Sequence, residues 1–370
     1  MKVVITGASG FLGWHTRLRL TARTDHEIVP VGRAEWPNLP ALVRGADAVI
    51  HIAGVNRADS EEEVPAGNAR LAEDLAKAIT AKGAPLRVVY ANSIQAGNGT
   101  PYGTGKDRAA HILHGAVSSV SGHFVDVRLP NIFGEHGRPK YNSFVATFVH
   151  ATVVEESPSI KDNQVGLLHA QDAAASLIGG LITTSGTLTP EAEEHGVQEV
   201  WDLLQEFHAT YVPTGEMPDL STKFRVDLFN TYRAALFPKH YPLQLMPHSD
   251  ARGSFVETVR CRGGEGQTSF STTVPGVTRG EHYHLSKIER FAVMRGKATM
   301  ELRKMFTDEV ITFDADGDAP VAVDMPVGWV HNITNTGDET LFTQFWSHEL
   351  FRPEDPDTFP EPVRQQEQRP

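Results

Sequence analysis

Residues 1–13 read MKVVITGASGFLG, a short apolar run that leads into a turn with three glycines. The pattern predicts a buried strand over 3–6 that enters a helix through a tight turn. Gly7, Gly10 and Gly13 allow that turn and let a ligand approach the backbone. Backbone N–H groups and the dipole at the helix start suit a pyrophosphate, so the stretch indicates a dinucleotide site. The alternative is a glycine cluster that only forms a turn.

Strand and helix patterns alternate through the first part of the chain. Further buried strands are predicted over 28–31, 48–52, 87–91 and 124–128. Between them, Leu71, Leu75 and Ile79 recur every fourth residue and form one apolar face of a helix. Strands that alternate with helices predict βαβ units, and therefore an α/β domain with a parallel sheet.

The sequence changes character within residues 236–250, a stretch with three prolines. Beyond it, short β-rich runs are separated by Gly, Asp and Pro turns, which predicts an all-β barrel or sandwich. We therefore expect two domains, residues 1–243 and residues 244–370. The proline- and charge-rich residues 352–370 are expected to form an extended tail.

Composition excludes several classes of function. Apolar residues make up 40% and charged residues 22%, which is ordinary for a globular protein and excludes wholesale disorder. The net charge is −12 and neither part is basic, so we expect no nucleic-acid and no membrane partner. Cys261 is the one cysteine, and the first residues lack the pattern of a signal peptide. We therefore expect a cytoplasmic protein.

The end of the second predicted strand bears on which dinucleotide binds. NAD sites usually place a carboxylate there for the ribose 2′-hydroxyl, whereas this chain has Gly32 and Arg33. An arginine can pair with a 2′-phosphate, so we predict NADPH, with a solvated surface Arg33 as the alternative. The third strand, DAVIHIAG (47–54), ends in Ala53 and Gly54, which leave room for a nucleotide across the strand end.

A serine, a tyrosine and a lysine follow the fourth predicted strand. Tyr102 and Lys106 stand four residues apart and so share one face of a helix, and Ser93 lies just past the strand. A nearby ammonium lowers the pKa of a phenol, and a serine hydroxyl can hold a carbonyl oxygen. The three residues predict a carbonyl reductase in which Tyr102 gives the proton and a nicotinamide gives the hydride.

These motifs resemble those of the extended short-chain dehydrogenase/reductases. The matching segments are GASGFLG (7–13), DAVIHIAG (47–54), Ser93, YGTGK (102–106) and RLPNIFG (128–134). The resemblance implies a Rossmann fold, a nucleotide-sugar substrate, Asn131 as a substrate contact, and Ser93, Tyr102 and Lys106 as the catalytic set. The cofactor contacts that it implies are Gly7, Ser9, Gly10, Phe11, Leu12, Gly13, Arg33, Ala53, Gly54, Tyr102 and Lys106.

Four residues of the second part have the spacing of metal ligands. His282 and His284 stand two apart on a predicted strand and so point to one face. Glu289 and His331, on other strands, can close the site. Three imidazoles and a carboxylate suit Zn, Fe, Ni or Mn. The alternative, unrelated surface histidines, is weakened because only five of the 17 histidines lie past residue 243.

The spacing of Gly276 to Gly296 and of Pro326 to Asn335 around these ligands resembles the cupin signature. The resemblance implies a small β-barrel with a divalent metal inside, and zinc is the expected ion. The segment DARGSFVE (250–257) resembles the opening of the sugar-nucleotide 3,5-epimerases, which share that barrel. It implies Arg252 as a contact of the diphosphate and Glu257 as a contact of a sugar hydroxyl. The alternative is an ordinary strand and turn.

The order and lengths of the two parts resemble the CapF-like capsular polysaccharide biosynthesis enzymes over nearly all 370 residues. This resemblance implies that the cupin domain epimerises C3 of a UDP-2-acetamido-2,6-dideoxy-4-hexulose. The reductase domain then reduces the C4 ketone with NADPH to UDP-2-acetamido-2,6-dideoxy-L-talose, which leads to UDP-N-acetyl-L-fucosamine. A homodimer is expected from the family alone. Lys287 and Tyr283, within the metal motif, are candidate acid–base residues for the epimerisation.

Three alternative functions stay open. The chain could reduce and epimerise a different nucleotide deoxysugar, such as a dTDP-linked one. It could be a non-catalytic module that senses the dinucleotide. It could also join a metal oxygenase barrel to a reductase.

Overall fold

The computed structural model describes residues 1–364 and groups the chain into two compact units. The first unit comprises Met1–Thr147 and Ile160–Gln198, and the second comprises Phe148–Ser159 and Glu199–Pro370. Within the described residues, no helix has both the length and the apolar character needed to cross a bilayer.

The first unit is built from alternating strands and helices. Its strands are β1 (Lys2–Thr6), β2 (Glu27–Val31), β3 (Ala48–His51), β4 (Arg87–Ser93), β5 (His123–Leu129), β6 (Asn131–Phe133), β7 (Gln164–His169), β8 (Gly186–Leu188) and β9 (Glu193–Gly196). Its helices are α1 (Phe11–Arg23), α2 (Leu39–Arg44), α3 (Glu63–Lys82), α4 (Pro101–Ser119), the start of α5 (Phe144–Val153) and α6 (Ala170–Gly179). A 3₁₀ turn precedes α2 at Trp36–Asn38.

A six-stranded sheet with the order β2-β1-β3-β4-β5-β8 forms the centre of this unit, and all its strand pairs are parallel. Val4 packs into the core cluster of α3 and α4 on one face, whereas Val3 and Ile5 pack into the cluster of α6 on the other. Burial on both faces explains why these strands are continuous apolar runs in the sequence. The predicted Rossmann-like parallel sheet is confirmed. Strands β6, β7 and β9 form a separate small sheet.

Helix α4 begins where its sequence provides a cap. The Thr100 side chain accepts a hydrogen bond of 3.1 Å from the Gly103 N–H, and Pro101 fills the first helical position, where no N–H is needed. Tyr102 and Lys106 therefore lie in the first two turns of α4. The helix start fixes both side chains beside the carboxyl end of β4.

The second unit consists mainly of strands. Its helices are the end of α5, most of α7 (Val197–Thr214) and α8 (Lys223–Leu236). Its strands are β10 (Met217–Asp219), β11 (Leu243–Gln244), β12 (Pro247–Asp250), β13 (Gly253–Val256), β14 (Cys261–Gly263), β15 (Gln267–Thr273), β16 (Thr278–Tyr283), β17 (Glu289–Arg295), β18 (Lys297–Lys304), β19 (Val310–Asp316), β20 (Val321–Met325), β21 (Trp329–Asn335), β22 (Leu341–Ser347) and β23 (Phe359–Pro360).

Two five-stranded antiparallel sheets make up most of this unit, with the orders β11-β20-β17-β22-β15 and β19-β18-β21-β16-β23. Their inner faces meet, because the ring of Phe291 on β17 lies 5.5 Å from the ring of His331 on β21. The expectation of a β-rich second part is confirmed by these mostly antiparallel strands.

The compact units divide the chain earlier than the boundary predicted between residues 243 and 244. Tyr211 of α7 donates a hydrogen bond to the buried Asp324 of β20, and Asp324 also binds Arg290 of β17 at 2.6 Å. These buried polar contacts group the helical segment after residue 199 with the strands of the second unit. The domain limits 1–243 and 244–370 stay a prediction.

The prediction that residues 352–370 form an extended tail is wrong for the central part of this segment. Strand β23 pairs with β16, and Val363 is fully buried. The buried Arg303 donates hydrogen bonds to the carbonyls of Val363 and Pro362. A proline-rich segment is usually extended, and here it pairs with the edge of strand β16. Residues 365–370 of the predicted tail lie outside the described residues.

Candidate active sites

The glycine turn of the first unit brings the ends of three strands together. Gly7 has a φ of +70°, and a Cβ there would lie 2.8 Å from the backbone nitrogen of Ala53. A Cβ at Gly13 would lie 2.0 Å from the Gly7 carbonyl oxygen. The Gly7 N–H donates a hydrogen bond of 2.9 Å to the carbonyl of Val31 at the end of β2. Side chains at these positions would fill the space above the turn. The glycines keep that space open, as a dinucleotide site requires.

The first backbone N–H groups of α1 are suited to hold phosphate. The helix begins at Phe11 after Gly10, which has no side chain to cap it. Uncapped N–H groups and the helix dipole favour an anion at this position. Ser9 and Leu12 flank the same helix start, and Gly54 follows Ala53 at the end of β3. The residues present therefore fit a dinucleotide pyrophosphate.

Two opposite charges follow β2. Arg33 is exposed, which is compatible both with a contact to a bound 2′-phosphate and with a solvated surface arginine. The Glu35 carboxylate accepts a hydrogen bond of 2.8 Å from the Gly32 N–H. A Cβ at Gly32 would lie 3.4 Å from the hydroxyl of Ser9, so this loop lies against the glycine turn. Sequence reasoning missed Glu35, although a carboxylate four residues after the strand end was the available signal.

Ser93, Tyr102 and Lys106 lie at the carboxyl end of β4 and the start of α4. Burial raises the pKa of Tyr102, and a hydrogen bond with the Ser93 hydroxyl acts in the opposite direction. The expectation that a neighbouring ammonium lowers this pKa therefore differs from the structure, in which burial dominates. The Ser93 hydroxyl is near enough to affect the pKa of Tyr102, so one carbonyl oxygen could contact both hydroxyl groups.

Lys106 is buried behind this pair. Its Nζ atom donates a hydrogen bond of 2.5 Å to the Ala91 carbonyl. Burial lowers the pKa of Lys106 to about 7, and Asp126 opposes that shift. Burial and the charge of Lys106 lower the pKa of the adjacent His51 to about 3, so this histidine is neutral. His51 forms a hydrogen bond of 2.7 Å with Thr6, so its ring is held within the sheet.

The loop after β6 is anchored by a buried histidine–glutamate–histidine cluster that sequence reasoning missed. His15 of α1 donates a hydrogen bond of 3.0 Å to the Glu135 carbonyl, and His169 Nε2 lies 3.3 Å from the Glu135 carboxylate. Burial disfavours the charge of Glu135, but His169 and His15 hold its pKa at about 2. Asn131, the expected substrate contact, is the exposed first residue of β6 and donates to the Gly166 carbonyl.

In the second unit, the four predicted metal ligands come together. The Glu289 oxygen Oε2 lies 3.1 Å from Nε2 of His284, 3.4 Å from Nε2 of His331 and 3.8 Å from Nε2 of His282. One ligand atom from each residue lies within 4.8 Å of all the others. His284 and His331 are buried, whereas His282 and Glu289 are partly exposed.

The histidine orientations fit a divalent metal. Nδ1 of His284 donates to the Asp357 carbonyl at 2.5 Å, and Nδ1 of His331 donates to the Trp329 carbonyl at 3.2 Å. Each ring thereby presents the lone pair of Nε2 to the centre of the cluster, as metal-ligating histidines do. Three imidazoles and one carboxylate are a donor set for zinc and similar ions.

A cavity of about 220 Å³ opens beside the metal ligand Glu289. Lys287, Glu349 and Arg352 are the charged side chains that line it with Glu289. Lys287 is buried, and its Nζ donates to the Pro356 carbonyl at 2.5 Å and to the Thr358 hydroxyl at 3.2 Å. Burial raises the pKa of Glu349, a residue that sequence reasoning missed. The cavity thus brings the titratable side chains of Lys287 and Glu349 next to Glu289 of the histidine cluster.

The other predicted residues of the second unit lie elsewhere. Arg252 is exposed and pairs with Asp250 in the β12–β13 hairpin. Glu257 is exposed and pairs with Arg260. Neither Arg252 nor Glu257 lines the cavity beside Glu289. Tyr283 alternates with the two histidines along the strand and packs on Phe359, so it faces away from the ligands.

Comparisons with known proteins cover both units. Residues 3–178 match the NAD dependent epimerase/dehydratase family, and residues 248–359 match the Polysaccharide biosynthesis C-terminal domain. A UDP-2-acetamido-2,6-beta-L-arabino-hexul-4-ose reductase from Pseudomonas aeruginosa is 34% identical over 369 residues, which are 97% of this chain and 98% of the relative.

Two further known proteins are similar to this chain. The crystal structure of the capsular polysaccharide assembling protein CapF from Staphylococcus aureus is similar with a TM-score of 0.63 at 32% identity, over 98% of this chain and 100% of that chain. The spore coat polysaccharide biosynthesis protein SpsL from Bacillus subtilis is 29% identical over 123 residues, 31% of this chain and 82% of the relative.

Proposed function

We infer that this chain, which belongs to the CapF-like family of polysaccharide biosynthesis enzymes, is a bifunctional nucleotide-sugar epimerase and reductase. Its similarity to the P. aeruginosa hexul-4-ose reductase and to CapF extends over nearly the whole chain. The single observation that carries the proposal is the convergence of Ser93, at the end of β4, with Tyr102 and the buried Lys106, in the first turns of α4. This arrangement supports the reduction of a sugar ketone.

In the reductase step, Ser93 holds the C4 carbonyl oxygen and Tyr102 donates a proton to it. The nicotinamide cofactor supplies the hydride when bound. Lys106, whose pKa of about 7 lets it gain and lose a proton near neutrality, restores the proton of Tyr102. Asn131 orients the sugar at the loop that the Glu135 cluster anchors. The products are the alcohol at C4 and a phenol ready for the next cycle.

The proposed cofactor is NADPH. Arg33 would pair with the 2′-phosphate, while the glycine turn and the start of α1 would hold the pyrophosphate. Glu35 acts in the opposite sense, because its carboxylate lies in the same loop and would repel a 2′-phosphate. The preference for NADPH therefore depends on the balance between Arg33 and Glu35.

For the second unit we propose a cupin barrel that epimerises C3. A ketone at C4 acidifies the hydrogen at C3, so a base can remove it and reprotonation from the opposite face inverts the carbon. Zinc on His282, His284, Glu289 and His331 would supply Lewis-acid stabilisation. Lys287, which lines the cavity beside Glu289, is the proposed acid–base residue. Arg252 and Glu257 stay proposed contacts of the diphosphate and of a sugar hydroxyl.

The proposed substrate is a UDP-2-acetamido-2,6-dideoxy-4-hexulose, and the proposed product is UDP-2-acetamido-2,6-dideoxy-L-talose, on the route to UDP-N-acetyl-L-fucosamine. A dTDP-linked deoxysugar is the main alternative. The proposal also includes a cytoplasmic location and a homodimer, both taken over from the sequence-based expectation.

The test is incubation of the protein with the 4-keto sugar in deuterated water. We expect deuterium at C3 without NADPH, and stoichiometric NADPH oxidation once NADPH is added. A panel of UDP- and dTDP-linked 4-keto sugars identifies the nucleotide. Absence of NADPH oxidation with every sugar in the panel would exclude the reductase and favour a sensing module, and oxygen consumption would favour an oxygenase.

A further inference from the structure

The segment after the last long strand of the second unit closes over the metal ligands. We call residues 356–364 the strap. Within it, β23 pairs with β16, the strand that contains His282. The Val363 N–H donates a hydrogen bond of 2.6 Å to the Glu281 carboxylate next to His282. The strap therefore lies along the last residues of this strand, from Glu281 to Tyr283.

Asp357 lies in the strap at the loop between β16 and β17, and its carboxylate is surrounded by donors. One oxygen accepts the Leu285 N–H at 3.0 Å. The other accepts the N–H groups of Ser286 at 2.9 Å and Lys287 at 2.8 Å, and the Ser286 hydroxyl at 3.1 Å. Three successive N–H groups that converge on one carboxylate form an anion-binding nest. Asp357 thus fixes the backbone of the loop that joins His284 to Glu289.

The backbone of Asp357 acts on a metal ligand directly. Its carbonyl oxygen accepts a hydrogen bond of 2.5 Å from Nδ1 of His284, while Nε2 of the same ring lies 3.1 Å from the Glu289 carboxylate. A proton fixed on Nδ1 leaves the lone pair of Nε2 for a metal. The same residue therefore sets both the tautomer and the ring orientation of His284.

The conformation of Asp357 indicates that these contacts determine it. Its φ is +43°, in the left-handed region that few non-glycine residues adopt. Asp357 is buried, so the surrounding protein and not solvent holds it there. Unfavourable backbone conformations persist where the neighbours over-determine them, often at functional sites.

We propose that Asp357 is a positioning residue that holds His284 and the loop 285–287 in the geometry for metal binding before the metal arrives. The inference rests on the proposed metal site of the second unit. It assigns to the strap a role in metal affinity, which the sequence-based expectation of a tail did not include. Asp357 acts through His284, so its effect should appear in metal binding as well as in activity.

The test measures zinc affinity and zinc release on the full-length protein by competition with a chromophoric chelator. Asp357→Asn keeps the backbone carbonyl, and asparagine tolerates positive φ, but its amide turns a donor toward the N–H groups. Asp357→Gly removes the carboxylate and relieves the backbone. We expect both variants to bind zinc about 10- to 100-fold more weakly and to release it faster. The exposed Asp338, changed to asparagine, is the matched control and should bind zinc like the wild type.

A second measurement needs no variant. In zinc-free wild-type protein, amide hydrogens of residues 285–287 should exchange as slowly as those of the paired strand β17, because Asp357 already binds them. Fast exchange that slows only with zinc would overturn preorganisation. Wild-type affinity in both Asp357 variants would overturn the positioning role and leave the proposed metal site intact. If wild-type protein binds no zinc, the metal site itself fails and the inference fails with it.

Discussion

The Nζ atom of Lys106 lies 4.3 Å from the centre of the Tyr90 ring. The same amine donates to the Ala91 carbonyl, and the charge of Asp126 opposes the effect of burial on its pKa. A cation over an aromatic face keeps part of its charge stabilisation without water. The lysine expected to assist Tyr102 is therefore held inside the first unit, and its pKa of about 7 follows from that burial.

The titration of Lys106 should make the free energy of unfolding depend on pH. The folded pKa of Lys106 lies below the ordinary lysine value, so between the two the unfolded chain binds more protons than the folded one. The contribution of Lys106 to stability therefore rises with pH above about 7. We expect the melting temperature of the wild type, relative to that of Lys106→Met, to increase from about pH 7 to about pH 9. The corresponding change in the free energy of unfolding is at most about 1.4 kcal/mol per pH unit. A difference that does not change with pH would contradict the buried titration.

Replacement of Tyr102 by phenylalanine should remove the proton donor and little else. We expect the rate of NADPH oxidation with the 4-keto sugar to fall about 10²- to 10⁴-fold, while C3 deuterium exchange persists. Tyr141→Phe is the matched control, because the ring of Tyr141 contacts Arg57 and Arg138 outside the catalytic set. Undiminished NADPH oxidation in Tyr102→Phe would sink the proposed reductase mechanism.

Cofactor choice should shift in opposite directions when the two charges after β2 are removed. Arg33→Ala should lower kcat/KM for NADPH about tenfold or more, because a charge-assisted pair with the 2′-phosphate is lost. Glu35→Ala should raise the ratio of NADPH to NADH efficiency, because a repulsive carboxylate is lost. Steady-state kinetics with both cofactors measures the two ratios. An unchanged ratio in Arg33→Ala would refute the assignment of the 2′-phosphate to Arg33.

Loss of one buried metal ligand should separate the two reactions. We expect His331→Ala to lose stoichiometric zinc and C3 deuterium exchange, since three remaining ligands hold zinc far less tightly. The same variant should still oxidise NADPH when it is given the C3-epimerised ketone. Elemental analysis and mass spectrometry measure the two effects. Full deuterium exchange in zinc-free protein would remove the metal from the mechanism.

The cavity beside Glu289 contains two candidates for proton transfer, and they can be compared. Lys287→Met should lower C3 exchange about 10²- to 10⁴-fold with zinc retained, because the methionine keeps the length of the side chain without its amine. Glu349→Gln should lower exchange by less than about tenfold. The reverse order of effects would transfer the acid–base role from Lys287 to Glu349.

Local pattern predicted much of the fold. The strands β1, β3 and β4 were predictable because burial on both faces leaves continuous apolar runs. The turn at Gly7 was predictable because a tight approach to Ala53 needs glycine. The convergence of His282, His284, Glu289 and His331 was predictable because two histidines on one strand have a spacing that chance seldom provides. Each of these signals lies within a short stretch of sequence.

Long-range contacts could not be predicted in the same way. His15, Glu135 and His169 meet from three distant segments, and nothing near any one of them in the sequence indicates the other two. Asp357 lies 73 residues from His284, in a stretch whose prolines and charges are typical of a tail. The composition of a segment indicates only whether that segment would be ordered in isolation. The strap is ordered because it pairs with β16, a strand that is distant in the sequence.

The pairing of β23 with β16 also bears on aggregation. Phe359 and Pro360 cover the outer edge of β16, so that this strand lies between two neighbours in its sheet. A bare edge would offer a row of N–H and C=O groups to another chain. Variants that loosen residues 356–364 should therefore self-associate through the exposed edge of β16. Such variants would aggregate, in addition to binding the proposed metal more weakly.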